Sequence, residues 1–267
     1  MNPELFLIYP LIGMVSGVIA GLLGVGGGLV LVPVLMYSFR LQGYDPSLVL
    51  HLALGTSLAV IVFNALSSIR AHQQRGAIRW ELFAQLTPGL LLGTLLGSLL
   101  AAQLNTLWLQ RIFGTFALLV GLQMLLMVRA SGRFTLPGAW GQGLAGGLVG
   151  LVSALVGIGG GSMTVPYLSA CRVDLRQAVA TSAACGLPIA LGGTLGYLYT
   201  GWSNPLLPAQ ALGYVHGPAL LSIALLGMLF APLGARLAHS LPVLTLKRLF
   251  GLLLVLLGAR MLFSAGL

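Results

Sequence analysis

The sequence predicts an all-α polytopic membrane protein of two inverted repeats, each a broken glycine-rich hairpin followed by three transmembrane helices. Three observations carry that expectation. First, 58% of the residues are hydrophobic and only 6% are charged, a balance foreign to water-soluble domains. Second, apolar runs of the roughly 20 residues needed to cross a bilayer recur along the chain. The short alternating segments of a membrane barrel do not. Third, residues 17–35 return, 133 positions later, as residues 150–168. Gly24, Gly26, Gly27, Gly28 and Pro33 thereby match Gly157, Gly159, Gly160, Gly161 and Pro166.

Each element follows from local signals. The first apolar segment spans about 5–23. Its leading residues lack the basic stretch of a signal peptide, so it is expected to stay in the mature chain. Glycine loses much backbone entropy in a helix and packs no side chain there. The cluster at 24–28 therefore breaks the segment, which resumes as a short apolar piece at 29–39. A span at about 48–66 is followed by a polar loop at 67–79, then by spans at 82–103 and 107–128. The first repeat is assigned to residues 1–131 and the second to 132–267. In the second, a broken segment covers about 138–170, and spans lie near 177–199, 212–235 and 244–264.

The duplication extends beyond the glycines. Ala53, Thr56 and Ser57 match Ala178, Thr181 and Ser182 at an offset of 125, and Gly97, Arg111, Gly114 and Gly121 match Gly234, Arg248, Gly251 and Gly258 at 137. Changing offsets mean short insertions in the loops. Internal duplication of this kind is common among transporters.

Basic residues orient the chain. The net charge of +9 comes from residues scattered singly between apolar spans, so membrane topology explains it better than nucleic-acid binding. With the 67–81 loop in the cytoplasm, ten of the 13 lysines and arginines fall inside, and only Arg40, Arg111 and Arg260 fall outside. Both ends of the second broken segment are then cytoplasmic, and both ends of the first are external. Each is therefore a hairpin, and the two halves are inverted. Whether the hairpins are re-entrant or fully spanning stays open; their short pieces favour half-helices meeting at mid-membrane.

Irregular backbone at membrane depth survives only where it is buried in protein or lines a wet cavity. A helix restarting after Gly28 or Gly161 presents free N–H groups and a positive dipole end, a combination suited to a small anion. The candidate substrate-binding residues are therefore Gly26, Gly27, Gly28, Gly159, Gly160 and Gly161. Gly24, Pro33, Gly157 and Pro166 are candidate hinge or structural positions. Close helix packing is the competing role for glycine, and it suits Gly13, Gly17 and Gly21 and also Gly89, Gly93 and Gly97, which are spaced by four. Thr56, Ser57, Thr181 and Ser182 could donate hydroxyls to an oxyanion or bond back to their own helices. Asn64 is a further candidate donor. His51, which matches Arg176, could contact an anion or carry a proton.

Several classes are disfavoured. The glycine clusters lack the Lys-Ser or Lys-Thr and the preceding strand of a nucleotide-binding loop. Glu4, Asp45, Glu81 and Asp174 all lie at loops or span ends, so no span carries the central carboxylate of a proton or cation pathway. Cys171 and Cys185 fit no metal or disulfide spacing. No constellation for catalysis stands out. No metal, cofactor or nucleic-acid partner is expected.

The doubled glycine motif with its prolines, the Thr-Ser pairs, Gly76-Ala-Ile-Arg-Trp80 leading to Pro88-Gly89, and Pro232-Leu-Gly-Ala-Arg236 followed by Leu246-Lys-Arg-Leu-Phe250 resemble the sulfite exporter TauE/SafE family of membrane permeases over nearly the whole chain. The resemblance implies an inner-membrane transporter, often an exporter, of small sulfur-containing anions such as sulfite or organosulfonates. The expected partners are a small anionic substrate and the lipid bilayer. The substrate, the direction, the coupling ion and any homo-oligomer stay open. An anion channel and a non-transporting scaffold or enzyme subunit are the alternatives.

Overall fold

A computed structural model of the protein describes residues 8–23, 27–126, 134–240 and 243–263, without the side chains of residues 20–23, 232, 234–240 and 243–247. The first half contains α1 (Ile8–Leu23), α2 (Gly28–Leu41), α3 (Val49–Gln73), α4 (Trp80–Gln103) and α5 (Thr106–Leu125). The second contains α6 (Ala139–Val156), α7 (Gly161–Ala170), α8 (Leu175–Gly201), α9 (Gly217–Ser240) and α10 (Val243–Phe263). Among the described residues the only strands are β1 (Ala211–Leu212) and β2 (Val215–His216), a two-residue antiparallel ladder.

The chain is thus nearly all helix, and five helices (α3, α4, α5, α6 and α8) are long and apolar enough to cross a membrane. α9 and α10 run to 24 and 21 residues. At 1.5 Å per residue, the 14 residues of α2 and the ten of α7 reach about 21 and about 15 Å, short of a roughly 30 Å hydrocarbon core.

Two boundaries differ from the sequence expectation. α3 continues to Gln73, seven residues past the expected end of its span. The segment 67–73 is polar but helix-competent, and Arg70 and His72 sit in the last turn, where basic groups suit the dipole. The span expected from 212 starts instead at Gly217, because Gly213 adopts φ +53 and turns the chain back as a hairpin. The Tyr214 N–H then donates to the Tyr197 carbonyl at 3.1 Å, seating that hairpin on α8.

Both broken segments fold back on themselves. The open end of α1–α2 is closed by Tyr9 and Gln42, whose Nε2 donates to the tyrosine oxygen at 2.7 Å. The open end of α6–α7 is closed by Tyr167, whose hydroxyl donates to Gln142 Oε1 at 2.9 Å, and by the Phe134 N–H, which donates to the Ala170 carbonyl at 3.1 Å.

The packing repeats when the halves are exchanged. α4 lies against α6 as α9 lies against α1, and α4 against α8 as α9 against α3; α5 meets α10 and α3 meets α8. Gly17 abuts Gly227 and Gly150 abuts Leu90; Gly114 abuts Gly258 and Gly121 abuts Gly251. These pairs correspond at the sequence offsets of 133 and 137. α3 and α8 form the centre, with 78% and 67% of their most apolar windows buried, against 33% for α5, whose Leu107, Leu119 and Leu122 are exposed. All four tryptophans sit at helix ends: Trp80, Trp108 and Trp140 in first turns, and Trp202 just past α8. Amphipathic indoles favour the two membrane–water interfaces.

Candidate functional site

The two glycine breaks come together in the protein interior. Gly28, the first residue of α2, packs against the second break so closely that a Cβ there would lie 2.8 Å from the Gly157 carbonyl oxygen and 3.1 Å from the Ile158 Cα. Ile61 of α3 touches both breaks, lying 3.1 Å from the same Gly28 position and 3.4 Å from the corresponding position at Gly159.

Each break is built on a left-handed glycine. Gly27 (φ +69) precedes α2, and Gly157 (φ +68) ends α6. A side chain would be strained there. The Gly27 carbonyl accepts from Val30 and Leu31 at 3.1 and 3.0 Å, and the Gly160 carbonyl from Met163 and Thr164 at 3.2 and 2.7 Å. Neither helix start has a side-chain cap. The N–H groups of Gly28 and Leu29 in α2, and of Gly161 and Ser162 in α7, therefore have no intrahelical acceptor. Pro33 and Pro166 each lie inside their short helix. Lacking an N–H, they free the carbonyls of Leu29 and Ser162 one turn back.

The hydroxyls divide by role. Ser57 is buried on α3 and donates to the Gly157 carbonyl at 2.8 Å, so the first repeat's serine supports the second repeat's break. Ser182, its counterpart on α8, is buried with no hydrogen-bond partner for its hydroxyl. It lies beside the second break, its carbonyl 3.3 Å from where a Gly160 Cβ would be. Thr56 and Thr181 are used elsewhere. Thr56 Oγ1 accepts the His216 N–H at 3.0 Å, and Thr181 Oγ1 accepts the Arg79 N–H at 3.0 Å. Arg79 and His216 correspond at the offset of 137 and precede α4 and α9. Each threonine thus pins the start of a helix in the opposite half.

Two candidates pack against other elements. His51, near the start of α3, donates Nε2–H to the Ala101 carbonyl at 3.0 Å and stacks on Tyr214 at 5.1 Å. Asn64 is half-buried, with its Oδ1 beside Gly227 of α9. Gly24 and Gly26 lie outside the described residues. Four hydroxyl side chains in the second hairpin were not singled out from sequence. Ser153 and Thr164 are buried, Ser162 and Ser169 are half-buried, and none of their hydroxyls has a partner. A signal was available: Ser162 and Thr164 stand where the first repeat has Leu29 and Leu31.

Room remains around the second break. Gly159 and Gly186 are buried, yet an added Cβ would meet a single heavy atom within 4 Å at each, Ile61 Cγ2 at 3.4 Å and Ala65 Cβ at 3.9 Å. Ile61 and Ala65 lie one turn apart on α3, so the space lies between α3 and α8 with the break at its edge. Ser182, with its free hydroxyl, lies one turn before Gly186 on α8, and a hydroxyl can donate to an oxyanion. Among the described residues no three His, Cys, Asp or Glu side chains gather where a metal ion could be held.

A family model described as sulfite exporter TauE/SafE matches residues 9–261. A "probable membrane transporter protein" of Haemophilus influenzae is 35% identical over 252 residues, covering 94% of this chain and 96% of its own. A "probable membrane transporter protein YunE" of Bacillus subtilis is 26% identical over 283 residues, covering 97% and 98%. A similarly named protein of the archaeon Methanocaldococcus jannaschii is 27% identical over 274 residues, covering 97% of each chain. No solved structure matches the chain.

Proposed function

This chain belongs to the sulfite exporter TauE/SafE family, and on that premise we propose that it is a secondary transporter that exports small sulfur-containing anions, sulfite or organosulfonates, across an inner membrane. Membership of a family of membrane transporters fits a multi-pass chain with five apolar helices of spanning length. One observation carries the site: the two breaks meet at depth, Gly28 at the uncapped start of α2 packing against Gly157 and Ile158, which lead from the end of α6 into the uncapped start of α7. The free backbone N–H groups and the positive dipole end of a helix start favour an anion over a cation.

In this reading the halves 1–131 and 132–267 are inverted copies that rock against each other around the site. The exchanged packing pairs support it, and so do the hairpin closures. Tyr9–Gln42 lies on the side of Tyr44 and His216, and Phe134–Ala170 lies at the start of α8, a full helix away. The short helices differ in a way that suits alternating access. α2 is buried from Gly28 to Pro33, whereas in α7 only Thr164 and Leu168 are buried. The path from the break then runs along α7 toward Arg172 and Arg176, the face that the charge distribution assigns to the cytoplasm.

The test is transport by the purified protein in liposomes loaded with sulfite or methanesulfonate. Efflux that saturates and shows counterflow is expected. Efflux without counterflow would make it a channel, and no movement of either anion under any gradient would overturn the reading.

A further inference from the structure

Resting on that transporter reading, we propose that the oxyanion is held by the second repeat alone. The donors are the backbone N–H groups of Gly161 and Ser162 and the hydroxyls of Ser162, Thr164 and Ser182. The first break supplies no side-chain donor.

Three independent observations carry the asymmetry. The first is the fate of equivalent hydroxyls. Ser57 is consumed by the Gly157 carbonyl at 2.8 Å, while Ser182 is 1% exposed and unpartnered. Thr164 is also 1% exposed and unpartnered, and its Oγ1 points back toward the break, 3.0 Å from where a Gly160 Cβ would project. A buried hydroxyl without a partner costs stability unless something binds it.

The second is space. Gly89 and Gly93 of α4 have none: a Cβ on either would overlap the Gly143 or Gly147 carbonyl. At Gly159 and Gly186, both buried, a Cβ would instead meet a single heavy atom within 4 Å, and Gly186 lies one turn beyond Ser182 on α8.

The third is the repeat itself. At the first break the positions of Ser162 and Thr164 are taken by Leu29 and Leu31, both 2% exposed. A symmetric site would carry donors at both tips. This chain keeps the duplicated backbone and places side-chain donors at one tip only.

The chemistry of the donors defines the ligand. Amide N–H groups and hydroxyls spread over one helical turn and a neighbouring helix match a compact head with several acceptor oxygens on one centre, as in sulfite or a sulfonate. A single-atom anion would leave some of the donors unused, and a cation would meet the positive end of α7.

The experiment measures sulfite efflux from proteoliposomes containing the full chain. Thr164→Val and Ser182→Ala are each expected to raise the KM for sulfite by about tenfold or more, as loss of a hydrogen bond to a charged acceptor does. Their melting temperatures should hold or rise, because no group in the empty protein loses a partner. Thr164→Ser should restore the KM. Wild-type KM values in Ser182→Ala and Thr164→Val, with wild-type transport intact, would overturn the one-sided cradle and leave the transporter reading standing. Absence of sulfite and methanesulfonate transport in the wild type would overturn both. Should Thr164→Val fail to fold, Ser182→Ala decides alone: a raised KM supports the cradle and an unchanged KM overturns it.

Discussion

His216 fills a helix-start position usually taken by asparagine or serine. It precedes α9, and its Nδ1 accepts the Ala219 N–H at 3.3 Å. The other ring nitrogen then carries the proton and donates to the Tyr44 hydroxyl at 3.1 Å. The ring is fully buried among Tyr9, Phe39 and Tyr44. Burial penalises the charged form and pushes the imidazole down from 6.5 to about 4. The unfolded chain therefore binds more protons between those values. The stability contributed by the neutral ring is complete above pH 6.5 and is lost as pH falls toward about 4, up to roughly 3 kcal/mol in all. Asparagine accepts the same helix N–H but does not titrate. His216→Asn should flatten the fall in melting temperature between pH 6.5 and 4; a slope equal to that of the wild type would show that another group controls it.

At the level of the helix, glycine has two jobs, and the contacts tell them apart. Gly17 on α1 and Gly89 and Gly93 on α4 let backbones approach until no Cβ fits between them. Gly186 on α8 sits beside a space. The same substitution should therefore act in opposite ways. Gly93→Ala pushes a Cβ into the Gly147 carbonyl and should lower stability by about 1–3 kcal/mol, as overpacking does. Gly186→Ala meets only the Ala65 Cβ at 3.9 Å and gains helix propensity worth up to about 1 kcal/mol, so its melting temperature should hold or rise. Sulfite efflux should nonetheless fall, because the methyl group occupies the space. Melting curves in detergent alongside liposome efflux check both, and a Gly186→Ala protein with normal efflux would remove that space from the transport path.

Across the whole molecule, the loops sort into two sets. Thr106 donates to the Ser47 carbonyl, Tyr44 meets His216, and Arg260 lies over the Tyr37 ring on one face. Trp80 donates to Gln73, and the Arg79 N–H donates to Thr181 near the start of α8, on the other. Charge names the sides: Arg40, Arg111 and Arg260 belong to the first, and Arg75, Arg79, Arg172 and Arg176 to the second. Cys171 and Cys185 are 5% and 0% exposed, which leaves a quiet background for thiol labelling. In whole cells a membrane-impermeant maleimide should label Leu206→Cys and spare Gln74→Cys. The reverse pattern would invert the orientation, and equal labelling would mean that the two positions do not lie on opposite faces.

The sequence alone determined the helical membrane class, the duplication, both hairpins and the family, because each rests on local signals: long apolar runs, glycine clusters at a fixed offset, and arginines in short loops. It also marked both breaks, since glycine and proline act on the backbone they occupy. Only the tertiary structure decided which polar groups remain free there. The Thr56–Ser57 and Thr181–Ser182 pairs read alike in sequence. Their partners lie up to 160 residues away, and packing spends Thr56, Ser57 and Thr181 on distant backbone while leaving Ser182 unpaired. Hydrogen bonds between remote segments leave no periodic trace in a chain, so an equal pair of motifs folded into unequal surroundings.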